Sequence, residues 1–123
     1  MLKIVMAISN LKKALDSTEE VEITVTGRKS GRKIALPVWF VRQGGRLLLL
    51  PVRGSESNWY KNVLHTPSMS ISAAGTKVTV TPKPSSDRNK VKEVADKFRA
   101  KYGAGEVKKY YLKFDTCVEV ALP

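Results

Sequence analysis

Six short stretches of this chain carry strand patterning, and compact turns with glycine join most of them, which leaves little room for anything but a small antiparallel β structure. Val21, Ile23 and Val25 alternate with Glu22, Thr24 and Thr26, the period of a half-buried strand. Ile34 to Val41 is a nearly unbroken apolar run, as in a strand covered on both faces. Pro37 removes one backbone donor from that run and so predicts a bulge or an edge. Gln43-Gly44-Gly45 supplies a hairpin turn, and Leu47 to Val52 follows as a second run covered on both sides. Met69, Ile71 and Ala73 alternate, Ala74-Gly75 turns the chain, and Val78 and Val80 complete another hairpin. Val118, Val120 and Leu122 form the closing strand. Frequent hairpins without a βαβ rhythm argue for a small barrel over a doubly wound sheet.

Helical spacing occurs in three places. Ile4, Ile8, Leu11 and Leu15 predict an N-terminal helix over about 3–16. Ser57 or Asn58 is placed to cap a short helix through Leu64, with Pro67 marking its end. Val91, Val94, Ala95, Phe98 and Tyr102 line one face of a helix over about 86–102, and Gly103 follows as a C-terminal stop. A chain of 123 residues fits one domain, here 1–123, with the barrel over about 20–82 plus 116–122. Met1 to Ile8 faintly resembles a signal peptide, but it lacks a long apolar centre and reads as structure. No run approaches the roughly 20 apolar residues that span a bilayer, so no integral membrane association is expected. Cys117 has no second cysteine to pair with, which fits a cytoplasmic, reducing compartment.

The formal charge of +11 points to an anionic partner: nucleic acid, an acidic membrane or a polyanionic small molecule. Its distribution is more telling than its size. From Ile23 to Ser55 there is no Asp or Glu, yet Arg28, Lys29, Arg32, Lys33, Arg42, Arg46 and Arg53 all fall there. A solvated face usually mixes signs. The basic residues from Lys77 to Lys113 are interleaved with Asp87, Glu93, Asp96 and Glu106, the pattern of an ordinary helix surface.

Few residues can carry chemistry of their own. His65 is the one histidine, near a helix end and before Thr66-Pro67, and reads as a surface or cap residue. No Cys-His cluster can build a zinc site, no carboxylate pair stands out, and Glu19-Glu20 read as solvated. No catalytic side chain is therefore assigned; any chemistry belongs to a bound cofactor. The turn Thr26 to Lys33 is the best candidate site. Its two glycines let backbone amides approach an anion, Arg28 and Arg32 can fork onto phosphate or carboxylate oxygens, Lys29 adds a point charge and Ser30 a hydroxyl. By composition alone it fits a solvated hairpin loop equally well. Asn58-Trp59-Tyr60-Lys61-Asn62 is the second candidate, where an indole beside amides can line a flat ligand or simply anchor the core. Trp39 has the same two readings.

The ordered string Thr26 to Arg32, then Leu36-Pro37-Val38-Trp39-Phe40-Val41-Arg42, the Gly44-Gly45 hairpin and Trp59-Tyr60-Lys61-Asn62-Val63 resembles the deazaflavin-dependent nitroreductase family over about residues 21 to 82. That family belongs to the flavin and deazaflavin oxidoreductases with an FMN-binding-type split barrel of six strands, similar to pyridoxamine-phosphate oxidase. The resemblance implies an oxidoreductase that passes a hydride from reduced coenzyme F-420, a deazaflavin, to a small-molecule acceptor such as a quinone or nitro compound. FMN is the alternative cofactor, and a non-catalytic cofactor carrier is the alternative role. By the same resemblance the basic turn, with Lys29, Ser30 and Arg32, grips the anionic tail. Pro51, Val52 and Arg53 lie against the ring, and the helix with Trp59 and Asn62 walls the site. Trp39, Tyr110 and Tyr111 are assigned to the acceptor side, with plain packing as the alternative role of the two tyrosines. The chain departs from the family where a lysine-glycine-glycine step reads Arg53-Gly54-Ser55, in the short loop before Trp59, and after Tyr102. A basic nucleic-acid-binding barrel needs exposed strand aromatics, which this chain has few of, so no nucleic acid is expected. A homodimer is compatible with the chain; Leu47 to Leu50 suits a dimer face or a barrel core.

Overall fold

Two ribbons cross from one sheet to the other, and they give the molecule its shape. The computed structural model describes residues 2–123, with side chains from Ile8 onward. The order is α1 (Leu2–Ser17), β1 (Glu20–Thr26), β2 (Lys33–Trp39), β3 (Val41–Gln43), β4 (Arg46–Leu49), a 3-10 turn (Gly54–Glu56), α2 (Asn58–His65), β5 (Met69–Ala73), β6 (Thr76–Val80), β7 (Pro82–Ser85), α3 (Arg88–Tyr102), α4 (Ala104–Tyr110) and β8 (Cys117–Ala121). One sheet has the order β2-β1-β5-β6 and the other β3-β4-β8-β7. Phe40 alone separates β2 from β3, and Thr81 alone separates β6 from β7. Each pair is one ribbon bent between the sheets. The six stretches of the sequence thus become eight strands in two four-stranded sheets, a split barrel without continuous closure.

The inward-facing side chains of both sheets make the first core: Val21, Ile23 and Val25 from β1, Leu47 and Leu49 from β4, Met69 and Ile71 from β5, Val118 and Val120 from β8. Leu11 and Leu15 of α1 and Trp59, Tyr60 and Val63 of α2 join it. Ile4 and Ala7, part of the predicted helical stripe, lie outside the described side chains. A second core forms on the other face of β4 and β8, where Leu48, Leu50 and Cys117 meet Val91, Val94, Ala95 and Phe98 of α3, Val107 of α4, and Tyr111. Burial in this layer pushes the Cys117 thiol pKa up. Leu47 to Leu50 is therefore core on both faces, 0–4% exposed, and not a dimer face.

Four expectations need correction. The run Ile34 to Val41 is not covered on both faces. β2 sits at a sheet edge and pairs with β1 alone, and Ile34 is 42% exposed. Pro37 is tolerated there for that reason. The long helix begins at Arg88, not Ser86, because Asp87 caps it: its carboxylate accepts from the Lys90 N–H at 2.9 Å. Ser57 occupies the N-cap of α2, but its hydroxyl does not cap; it accepts from the Arg53 N–H at 2.8 Å. Gly103, expected as a stop, both ends α3 and starts α4, a helix the sequence pattern did not predict.

Candidate functional site

A cavity of about 640 Å³ opens where β2 ends, and its size lies within the range of roughly 300–1,000 Å³ common for small-molecule clefts. Leu36, Pro37, Val38 and Trp39 form one wall, with Glu20 of β1 beside them. Leu50, Val52 and Arg53 form the floor. Ser57, Asn58 and Trp59 close one side, and Glu106, Tyr110 and Tyr111 close the other.

Each wall is held by a specific device. The loop between β4 and α2 is pinned to the segment after α4. The Leu112 N–H donates to Val52 O at 2.8 Å, and the Ser55 N–H donates to Asp115 Oδ1 at 2.8 Å, with the Ser55 hydroxyl on the other carboxylate oxygen. Those bonds, the hydroxyl first, hold the Asp115 carboxyl below the usual carboxylate range. Gly54 has φ +55° in this loop, and a Cβ there would collide with Asp115 Oδ1. Ser55, the last residue of the Arg53-Gly54-Ser55 step, thus fastens the loop.

Trp39 is fixed from outside the cavity. Its indole stacks on Tyr102 at 4.2 Å between centroids and 9° between planes, and Tyr110 meets it edge-on at 5.6 Å. The Tyr102 hydroxyl accepts from the Phe40 N–H at 3.0 Å and lies 2.8 Å from Phe40 O and 2.7 Å from Glu19 O. It therefore serves the backbone groups left by the β2–β3 break. Burial raises the Tyr102 pKa to about 12, and burial also raises that of Tyr111.

The basic turn does not line the cavity but is bolted to its wall. The Arg28 N–H donates to Asn62 Oδ1 at 3.0 Å, and its guanidinium donates to the same oxygen at 2.8 Å and to Asn58 O at 3.4 Å. Asn62, only 4% exposed, holds the turn against α2 and does not face the cavity. Within the turn, the Gly27 N–H donates to Arg32 O at 2.8 Å, and the Gly31 N–H to Gly27 O at 2.9 Å. Ser30 Oγ accepts from the Arg32 N–H at 3.2 Å. A Cβ on Gly27 would sit 2.8 Å from Ser30 Oγ, which is why the turn closes at glycine. The Lys29 and Arg32 side chains are exposed and make no hydrogen bond or ion pair among the described residues.

Of the residues expected at the site, Trp39, Val52, Arg53, Trp59, Tyr110 and Tyr111 line the cavity together. Pro51 is buried beneath it, its carbonyl accepting from the Gly54 N–H at 3.0 Å. Arg28, Lys29, Ser30 and Arg32 stand at the adjoining turn. Glu20 and Glu106 were missed. Glu20 was legible, because a tight turn at 27–32 sets it opposite Trp39. Glu106 was not, because Gly103 and Gly105 interrupt the helical pattern of α4. His65 is exposed, 3.2 Å from Thr66 Oγ1 and away from the cavity, and no group of metal-ligating side chains occurs among the described residues. No helix among them is long and apolar enough to cross a membrane.

A sequence profile of the family described as "Uncharacterized protein conserved in bacteria (DUF2255)" matches residues 11–115. Solved structures share the fold. An F-420-H2 dependent reductase aligns at a TM-score of 0.64 and 20% identity, over 83% of this chain and 93% of its own. A protein of Listeria innocua named for pyridoxamine 5'-phosphate oxidase aligns at 0.66 and 11% identity, over 93% and 91%. The haem storage protein HutZ of Vibrio cholerae aligns at 0.68 and 12% identity, over 94% and 88%. These structures share with the chain the split-barrel architecture, at 11–20% identity.

Proposed function

The chain belongs to the DUF2255 family, and on that footing we propose that it is a reductase that holds a deazaflavin, coenzyme F-420, and passes its hydride to an electron-poor small molecule such as a quinone or nitro compound. One observation carries the reading: the Arg28–Asn62 and Arg28–Asn58 bonds fasten a turn with unengaged cations to the helix that walls a ring-sized cavity. A ligand with a flat ring and a long anionic tail fits both parts at once. Val52 and Trp59 offer the ring apolar contact, and Lys29, Ser30 and Arg32 offer the tail charge and hydrogen bonds. Arg28 positions the turn. Bound there, the coenzyme supplies two electrons and a proton as hydride. The protein binds and orients the ring and keeps water from it, and no side chain is asked to act covalently. The acid-free stretch from Ile23 to Ser55 draws the polyanionic tail to this side of the molecule.

We assign a second copy of the chain as the partner of the open β2 edge, and the unpaired, buried Cys117 suits a cytoplasmic setting.

The test is a titration with F-420 and FMN side by side, in the wild type and in Lys29→Ala/Arg32→Ala. The wild type is expected to bind F-420 more tightly. The double variant is expected to lose about 1.5–3 kcal/mol of binding for each charged hydrogen bond removed, with little change in melting temperature. Unchanged affinity would refute the tail site.

A further inference from the structure

We propose that the Trp39 end of the cavity takes a flat aromatic cation as the second ligand, held between Glu20 and Glu106. The inference rests on reading the cavity as a ring-binding site and adds the charge of the molecule that lies beside the cofactor. The geometry is an ordered row. Glu20 pairs with Trp39 across the β1–β2 hairpin, so the two side chains leave the same face of the sheet as direct neighbours. Glu106 and Tyr110 are four residues apart on α4 and share one helix face. The edge-on contact of Trp39 with Tyr110, 5.6 Å between centroids, joins the two pairs. The sequence in space is therefore carboxylate, indole, phenol, carboxylate, and all four groups line the cavity.

Aromatic faces attract cations through their quadrupole, and flanking carboxylates add to that attraction. Neither the Glu20 nor the Glu106 carboxylate makes an ion pair or hydrogen bond among the described residues. Outside the cavity lining, Lys109 Nζ lies 5.2 Å from the centre of the Tyr110 ring. Arg53 also lines the cavity, its N–H on Ser57 Oγ, and the cationic turn is fastened to α2 through Asn58 and Asn62. The β1–β2 hairpin thus runs from the basic turn beyond Thr26 and Lys33 to Glu20 beside Trp39. Six residue steps of strand separate the two ends, on the order of 20 Å. An anionic tail and a cationic second ligand occupy opposite ends of this axis.

The net charge of +11 makes the inference a demanding one, because unspecific attraction to this protein favours anions. Trp39 and Trp59 are the chain's two tryptophans and both line the cavity, so intrinsic fluorescence reports its occupancy. The probes are 1-methylnicotinamide (the ring-methylated pyridinium), nicotinamide and nicotinate, one ring with positive, zero and negative charge. Each is titrated into the protein with and without F-420. Saturable quenching is expected, with the cation bound several-fold more tightly than the anion. Glu20→Gln/Glu106→Gln is expected to weaken cation binding about tenfold and leave binding of the neutral ring nearly unchanged. Lys29→Ala/Arg32→Ala is expected to keep the cation preference. Absence of saturable quenching by the cation, equal or tighter binding of nicotinate, or an unaltered double glutamine variant would overturn the inference. Cation preference without F-420 binding would sink the cofactor reading alone; F-420 binding without cation preference would sink this one alone.

Discussion

Strands β2 and β4 look alike in the sequence and are opposites in the fold. Both are apolar runs bounded by turn residues. β4 pairs with β3 on one side and β8 on the other, its inner face fills the barrel, and α3 and α4 cover its outer face. β2 pairs with β1 alone, and only Leu36, Val38 and Trp39 are partly buried. An apolar run therefore states that a strand can be covered; its neighbours decide whether it is. The companion strand of β2 held the clue. The outer face of β1 carries Glu20, Glu22 and Thr24, opposite Trp39, Pro37 and Ala35. A layer of helices would not rest on such a face. The uncovered strand borders the cavity, and the segment that follows the covered one supplies its floor.

The sharpest way to break this contrast is to remove matched side chains from the two strands. Leu49 is fully buried in β4, and Leu49→Ala is expected to cost about 2–5 kcal/mol of unfolding free energy. Leu36 on β2 packs against the same core but is partly exposed, and Leu36→Ala is expected to cost less than half as much. Urea unfolding monitored by tryptophan fluorescence measures both. Equal losses would mean that β2 is as covered as β4.

The junction where β2 becomes β3 sharpens the same comparison. There Tyr102 supplies hydrogen bonds to Phe40 that a neighbouring strand would supply within a sheet. Tyr102→Phe keeps the stack on Trp39 and removes the hydroxyl, leaving the Phe40 N–H without its acceptor. A loss of about 1–3 kcal/mol is expected. The pH dependence follows from the raised pKa. The folded protein holds the Tyr102 proton up to about 12, above the ordinary value of 10.0. The stabilisation is therefore complete below about pH 10 and is lost as pH rises through 12. Melting temperatures between pH 8 and 11.5 are expected to fall more steeply in the wild type than in Tyr102→Phe. Parallel curves would show that the hydroxyl is not buried at the junction. The buried Tyr111 hydroxyl adds a fall of the same sign to both proteins.

How much of this was legible depends on whether the deciding contact was local. Alternation at Val21-Ile23-Val25 and the two-residue turns at Gly44-Gly45 and Ala74-Gly75 gave the hairpins, because turn length sets register. The register of β1 and β2 across residues 27–32 sets Glu20 beside Trp39, a neighbour not drawn from the sequence, where Glu20 read as solvated. How the chain brings the cavity's other wall into place was not legible, although Tyr110 and Tyr111 themselves were assigned there. Tyr110 and Tyr111 reach Trp39 only because α4 folds back from Gly103, whose φ of +97° redirects the chain between two helices. Asn62 was assigned to the cofactor by resemblance, yet its amide faces Arg28. A buried amide on a helix has no sequence mark that says whether it meets a ligand or a neighbouring turn. β7 was missed because Pro82 and Pro84 break strand patterning, and they are accommodated because β7 is a sheet edge.

Ile34 gives the smallest expected effect and the finest cut. It lies opposite Val25 at the turn end of β2, 42% exposed. In an isolated chain, Ile34→Lys exchanges a half-solvated side chain for one that reaches water easily. The expected change in stability is within about 0.5 kcal/mol, measured by urea unfolding at low protein concentration. The consequence differs if a second copy covers this edge, because a lysine charge on an open strand discourages edge pairing. Sedimentation equilibrium is then expected to show a self-associating wild type and a monomeric variant, with unfolding of the dilute chains nearly unchanged. A monomeric wild type at all concentrations would leave β2 as an edge that its own Pro37 and Lys33 already protect.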